Sequence, residues 1–463
     1  MNSFWLSNFN KTNFENLNTD VSCDVCIIGA GIFGITCSYY LAKRGLKVVV
    51  LDKSDICSRT TGHTTAKITS QHGLFYSYLI DNYGKQFAKD YLFANQDAIE
   101  DIKNIIYSEN INCDFEKQSS FVYSTSISDL HLINKEVDAL NSINFSSKFV
   151  TECELPFKIA GAVEFKNQAQ FNPIKYVYGL LNCLLNNNGK VYTNTTVYDV
   201  KKSNNDFLTF TQNGNVKSKY VILACNYPFI NFPGMYFLKM YKSLSYVIGV
   251  DTKSDLFNGM YISSSSPVYS FRTANYNGKK ILLLGGLGHK TGYSKNYEES
   301  YLALENFARE LYPDCDVLFR WNTCDCITLD KIPYVGLFSN FMDNFFVGTG
   351  FDKWGMTSSN VAANIICDAI LKKNNKYSYV FNSSRINPFK NRSEFKNMLS
   401  ESLNSLAIKK LKSSKLNIAD IPFNTGGIVE INNKKIGIFK DFSRKDFCCK
   451  SCVYSFGLFT FLE

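Results

Sequence analysis

Histidine is scarce in this chain. There are four in 463 residues, His63, His72, His131 and His289, and none follows residue 289. Any metal centre that needs imidazole ligands is therefore excluded from the stretch beyond it. Long apolar runs are missing too: none approaches the ~18 residues that a membrane-spanning helix needs. The net charge is +9, but the basic residues are scattered and never form a block of five. That pattern favours solubility over a nucleic-acid footprint. Residues 1–20 are rich in Asn and lack the basic and apolar zones of a secretory signal. These absences lead us to expect a cytoplasmic protein with no membrane span and no nucleic-acid partner.

Cysteine, by contrast, is plentiful. Many of the 15 cysteines, such as Cys26, Cys37, Cys183, Cys225 and Cys367, lie inside apolar runs. In a reducing compartment they read as small buried residues. Cys23-x-x-Cys26 has redox-motif spacing, but Cys26 falls within an apolar strand pattern. Apolar content of 45% and charged content of 20% are ordinary for a globular protein.

The strongest local pattern is Cys26-Ile27-Ile28-Gly29-Ala30-Gly31-Ile32-Phe33-Gly34. An apolar strand breaks into Gly-x-Gly-x-x-Gly, a helical pattern runs to Arg44, and a second apolar run ends at Asp52. Gly29 permits the tight turn, Gly31 keeps side-chain atoms away from a pyrophosphate, and Gly34 lets the helix pack on the strand. The helix N-terminus offers unpaired N–H groups and positive potential to phosphates. Asp52 can accept from ribose hydroxyls. The unit predicts a dinucleotide site. Next comes the hydroxyl-rich loop Ser58 to His72, with Thr60, Thr61, His63, Thr64 and Thr65 placed to contact a cofactor.

Further along, residues 1–20 read as a surface arm. Helical spacing covers 78–93, 95–106 and 127–140, with a short strand pair predicted over 113–125. Asn172-Pro173 opens a helix to Leu185. Strands follow over 191–200, 207–212 and 216–224, and Asn213-Gly214 signals a hairpin. Residues 235–251 and 267–286 are strand-rich and suit a substrate wall. A helix is expected over 298–311, a strand over 345–350 and a last helix over 356–372. Beyond Asn374 Asn, Lys and Ser dominate, with one helical stretch over 393–411. Gly426 to Lys440 then reads as a hairpin with an Asn-Asn turn.

Together the 29–52 unit, the 60–72 loop, the 191–200 strand and Gly348-Thr349-Gly350-Phe351-Asp352-Lys353-Trp354-Gly355-Met356-Thr357 resemble the FAD-dependent D-amino-acid oxidase-like oxidoreductases. The resemblance spans about residues 20–373. It implies an α/β fold: a Rossmann-like FAD-binding domain, an inserted α+β substrate domain and a short C-terminal β remnant. The implied FAD-binding part is 21–80 with 150–230 and 320–373, and the substrate part is 81–149 with 231–319. Residues 374–425 would form a linker. The resemblance adds Val197, Gly348, Gly350, Phe351, Trp354, Gly355, Met356 and Thr357 to the cofactor-binding set. No spacing singles out a covalent attachment point, so FAD is expected to be non-covalent.

The closer resemblance is to a bacterial subgroup with Thr-Thr-Gly-His-Thr-Thr-Ala-Lys (60–67) and Gly-His-Lys-Thr-Gly (288–292) that adds a C-terminal Rieske [2Fe-2S] domain. Such a cluster needs two cysteines and two histidines. Residues 426–463 have no histidine. We expect a truncated module without a cluster, and no metal ligands.

The family chemistry implied is oxidation of a C–N bond, with hydride passing to flavin N5 and oxygen or another acceptor taking the electrons. A helix N-terminus at Gly355 to Thr357 would face charge developing on the ring. In amino-acid-oxidising relatives the Trp321 to Cys326 stretch carries an Arg at the position held here by Asp325. That exchange favours a cationic amine over a carboxylate. Arg272 is an alternative carboxylate clamp, and Tyr246 lies on a strand resembling the substrate-facing one. Lys67 and His63 are candidates to bond near flavin N5. Two alternatives stand: a non-catalytic or electron-transfer flavoprotein, and an NAD-dependent dehydrogenase, which would leave 348–357 without a role.

Overall fold

The computed structural model describes residues 3–291 and 296–385, and the backbone of 425–431, 434–440 and 446–449. The chain divides into two units, Met1–Arg392 and Ser393–Glu463.

An eight-stranded sheet anchors the first unit. At its centre Val21–Ile28 runs parallel to both Val48–Leu51 and Asn215–Leu223. Phe345–Thr349 lies parallel on the far side of Asn215–Leu223, and Lys190–Tyr192 beyond Val48–Leu51. Alternate residues of the central strands enter two cores. Val25, Ile27, Val48 and Val50 pack with the helices Ile32–Ala42, Pro173–Asn186 and Gly355–Ile370. Cys26, Ile28, Val49 and Leu51 pack on the opposite side with Val197, Phe207 and Tyr236. A strand buried on both faces needs an unbroken apolar run, which is what the sequence provides. Asp206–Thr211 pairs antiparallel with Asn215–Leu223, so the predicted Asn213-Gly214 hairpin is present.

A second sheet has nine strands. Its long members are Met240–Asp251, Tyr269–Tyr276, Lys279–Lys290 and Asp316–Thr328. Val247, Ala274, Leu283 and Trp321 face the first core. Tyr246, Ile248, Phe271 and Leu284 face the helix Tyr297–Leu311 through Tyr301 and Leu304. Strands Lys67–Ile68, Gly161–Gln170 and Asp316–Thr328 belong to this sheet, although their sequence lies largely in stretches expected on the FAD-binding side. Glu116–Ser124 is one strand between Gly161–Gln170 and Met260–Ser263, not the expected strand pair. It needs no partner of its own because both neighbours come from distant sequence.

Residues 1–20 are not a surface arm over their first turn. Ser3, Phe4 and Trp5 are buried, as is Leu17. The Asn-rich composition that follows hid a short helix, Phe4–Ser7, whose Phe4 packs on Tyr276 and Phe319.

In the second unit Thr425–Ile431 and Lys434–Lys440 form the expected antiparallel hairpin, and Asp446–Cys449 adds a third strand. The helix expected over 393–411 lies outside the described residues.

Candidate cofactor and substrate site

The turn after the first strand is shaped by backbone proximity. Gly29 has φ +118°, and a Cβ there would lie 2.4 Å from the Ala224 carbonyl oxygen. A Cβ on Gly34 would lie 1.9 Å from the Gly29 oxygen. Gly31 differs: only the Thr61 hydroxyl, at 3.1 Å, would meet its Cβ. Two glycines are thus required by the fold, whereas the third keeps a space open. The helix it opens has no side-chain cap. Of its first N–H groups, Ile32 N donates to Thr61 Oγ1 at 3.1 Å. Asp52, at the end of the second strand, accepts from Ala30 N at 2.7 Å and Ser54 N at 2.8 Å. Burial raises its carboxyl pKa, and those two donors offset part of the shift. Thr195 N donates to the Asp52 carbonyl, which brings the strand that starts at Val197 beside this corner.

The late segment meets this turn. Phe33 and Phe351 pack edge to face at 5.4 Å, and a Cβ on Gly348 would strike the Phe33 ring at 2.4 Å. Gly350 has φ +68° and sits against Thr328. Thr60 Oγ1 donates to Cys324 O at 3.1 Å and accepts from Asn226 Nδ2 at 3.1 Å, and Thr349 Oγ1 donates to Asn226 O. Asn226 therefore links the 60–63 turn to the Gly-Thr-Gly strand end. The sequence reading missed it; its one signal is an Asn just past a buried strand, a residue suited to its φ of +61°. The last helix, Gly355–Ile370, also begins without a side-chain cap. Thr357 Oγ1 donates to Thr69 O at 3.1 Å, and Trp354 stacks on His72 at 4.9 Å. Burial pushes His72 down to about 3, partly offset by the Thr69 carbonyl, so its imidazole is neutral.

Two uncapped helix N-termini, an open glycine and a half-buried acid at a strand end thus surround one crevice. This donor set fits FAD: 29–34 and Asp52 would hold the phosphates and ribose, and 355–357 would face the ring.

The substrate candidates separate. Asp325 is buried on the crevice-side face of its strand, opposite Ser243. Burial lifts its carboxyl to about 6, eased chiefly by the Lys353 ammonium. Lys353 bonds Ser245 Oγ. Ser245 and Lys353 were also missed, although Lys353 lies inside the quoted motif.

Tyr246 turns the other way. It is fully buried against Tyr301, and its hydroxyl is 2.8 Å from His289 Nε2. Strand alternation puts Ser245, which Lys353 bonds, on the opposite face from Tyr246, so the expected substrate-facing role of Tyr246 is corrected. Arg272 is corrected as well. Its Nη1 donates to Thr65 O, Ala66 O and Phe171 O, and its Nε to Thr273 O. It fastens backbone rather than forming an open carboxylate clamp. Lys67 also points elsewhere than expected. Its Nζ donates to Tyr261 O at 2.9 Å and bonds Ser270 Oγ, while burial, with nearby Arg272, pulls it down to about 7. His63 Nδ1 lies 2.8 Å from Arg59 O.

Comparison with known proteins identifies the family and the fold. The model of the FAD dependent oxidoreductase family matches residues 24–369. The putative Rieske 2Fe-2S iron-sulfur protein YhfW of Bacillus subtilis is 34% identical over 439 residues, covering 95% of this chain and 86% of that protein. Gamma-glutamylputrescine oxidoreductase of Escherichia coli is 24% identical over 238 residues, covering 48% and 54%. Glycine oxidase from Geobacillus kaustophilus superposes with a TM-score of 0.68 at 17% identity, covering 79% of this chain and 99% of that one. L-proline dehydrogenase from P. horikoshii gives 0.66 at 17%, covering 80% and 98%. These two structures share the fold.

The residues present do not fit a Rieske cluster. Each histidine lies within Met1–Arg392 and has another contact: His63 with Arg59, His72 with Tyr91, His131 with Ser128 and His289 with Tyr246. Among the described residues no three His, Cys, Asp or Glu side chains are grouped to hold a metal.

Proposed function

This chain belongs to the FAD-dependent oxidoreductase family, and from that premise we propose that it oxidises the C–N bond of a small amine or amino acid. The observation that carries this reading is the meeting of Gly29–Gly34 with Gly348–Thr357 around one crevice, walled by the second sheet. Held by these residues, FAD would supply the redox chemistry as the hydride acceptor.

The chain's own residues do the rest. An amine must be neutral before the adjacent C–H can leave as hydride. Asp325, ionised above about 6, would draw in an ammonium and take up its proton. Lys353, held by Ser245, offers the opposite charge on the same wall and suits a substrate carboxylate. Asp325 stands at the position that the resemblance gives to an Arg in amino-acid-oxidising relatives. The gamma-glutamylputrescine oxidoreductase and glycine oxidase names are consistent with this substrate range. Uncapped N–H groups at 355–357 stabilise negative charge where it grows.

The test is an anaerobic screen of amines and amino acids against the yellow protein. At least one substrate should bleach the visible flavin bands. Full reduction by dithionite with no bleaching by any amine would instead favour an electron-carrying flavoprotein.

A further inference from the structure

The carbonyls of five consecutive residues, 62–66, are all bonded by side chains from elsewhere. Ser3 Oγ donates to Gly62 O. Trp321 Nε1 donates to His63 O at 2.8 Å, and Trp5 Nε1 to Thr64 O at 2.7 Å. Arg272 Nη1 donates to Thr65 O at 2.7 Å and Ala66 O at 2.8 Å. All four donors are buried, with exposures of 0% for Ser3, 2% for Trp5, 1% for Trp321 and 2% for Arg272. The Arg272 guanidinium also lies 5.3 Å from the Trp5 ring centroid. The segment so held is a single turn of 3-10 helix, Thr60–His63, followed by extended residues and Ala66 at φ +55°. A non-glycine residue in that conformation persists only where its surroundings over-determine it.

A helix or sheet would satisfy these carbonyls with backbone N–H groups. Here two Trp, one Arg and one Ser do so, two of them from residues that precede the first strand. We infer that Ser3 and Trp5, with Trp321 and Arg272, form a brace that positions the 60–66 loop to receive FAD. This rests on the flavin reading above. The brace stops the peptide units of 62–66 from flipping, so the loop keeps one shape with Thr60 and Thr61 tied to Cys324 and Ile32. The four are positioning residues.

The test uses full-length Trp5→Phe, which keeps a ring beside Arg272 and removes the N–H together with part of the indole's volume, a packing loss that falls on apo and holo forms alike. Three quantities are read: FAD affinity from flavin fluorescence on adding FAD to apoprotein, the visible circular dichroism of bound flavin, and melting of apo and holo forms. We expect FAD binding to weaken about tenfold, the visible dichroism to change, and the holo form to lose more melting temperature than the apo form. If Trp5→Phe does not fold, Ser3→Ala gives the same three readings, removing the bond to Gly62 O together with the cap bond accepted from Leu6 N. Equal loss in both forms, with affinity and dichroism unchanged, overturns the brace alone. A wild type that takes up no FAD overturns the flavin reading, and the brace with it.

Discussion

Gly31→Ala separates a cofactor cradle from a merely structural turn. Gly31 has φ −79° and ψ −179°, a backbone conformation any residue adopts. Its new methyl group would meet only the Thr61 hydroxyl, at 3.1 Å, and that side chain can move by the few tenths of an ångström required. The apoprotein should therefore lose no more than about 1 kcal/mol. FAD has no such latitude, because its pyrophosphate needs the backbone bare. Losing one or two charge-assisted bonds, each worth about 1.5 kcal/mol, predicts binding weaker by roughly ten- to a hundredfold. Gly34→Ala is the control: its methyl would lie 1.9 Å from the Gly29 oxygen. That clash with backbone should cost the apoprotein about 3 kcal/mol or more. Urea unfolding of apoprotein and FAD titration read the two effects separately. The reasoning is refuted if Gly31→Ala binds FAD within twofold of wild type, or if Gly34→Ala unfolds no more easily than Gly31→Ala.

Other consequences follow from the same geometry. Amine oxidation should fall as pH drops through about 6, where Asp325 takes up a proton, and Asp325→Asn should lower kcat/KM and flatten that limb. Arg272→Lys should destabilise the protein by about 1–3 kcal/mol, because Lys cannot serve the same fan of carbonyls, with substrate KM little changed; a raised KM at unchanged stability would restore the clamp. Asp352 is lifted to about 8, chiefly by burial, so the folded state holds its proton more tightly than the unfolded chain does. Its contribution is then full below about pH 4 and lost as pH rises toward 8. Asp352→Asn, which can still accept from Thr328 N, should raise the melting temperature at pH 8 and leave it unchanged near pH 4. Tyr246→Phe should cost about 1 kcal/mol through its His289 bond and spare kcat.

What could be read from the sequence was what local rules determine. Gly29 and Gly34 sit where backbone approaches closely, Asp52 ends its strand on the turn, and the parallel strands between them are visible as apolar runs. The orientation of Met240–Asp251 was not legible in that way. Both of its faces are buried and a bulge falls between Leu244 and Tyr246, so alternation does not say which side meets the crevice. Arg272 was misread because its acceptors lie in a loop about two hundred residues earlier. The N-terminal turn was misread because two aromatics carry its burial, while the residues around them are polar.

Hydrogen–deuterium exchange with and without FAD tests the central claim most directly. One saturating addition of FAD should slow exchange at amides in both 30–35 and 355–358. Protection confined to one segment, or to neither, would contradict a shared site.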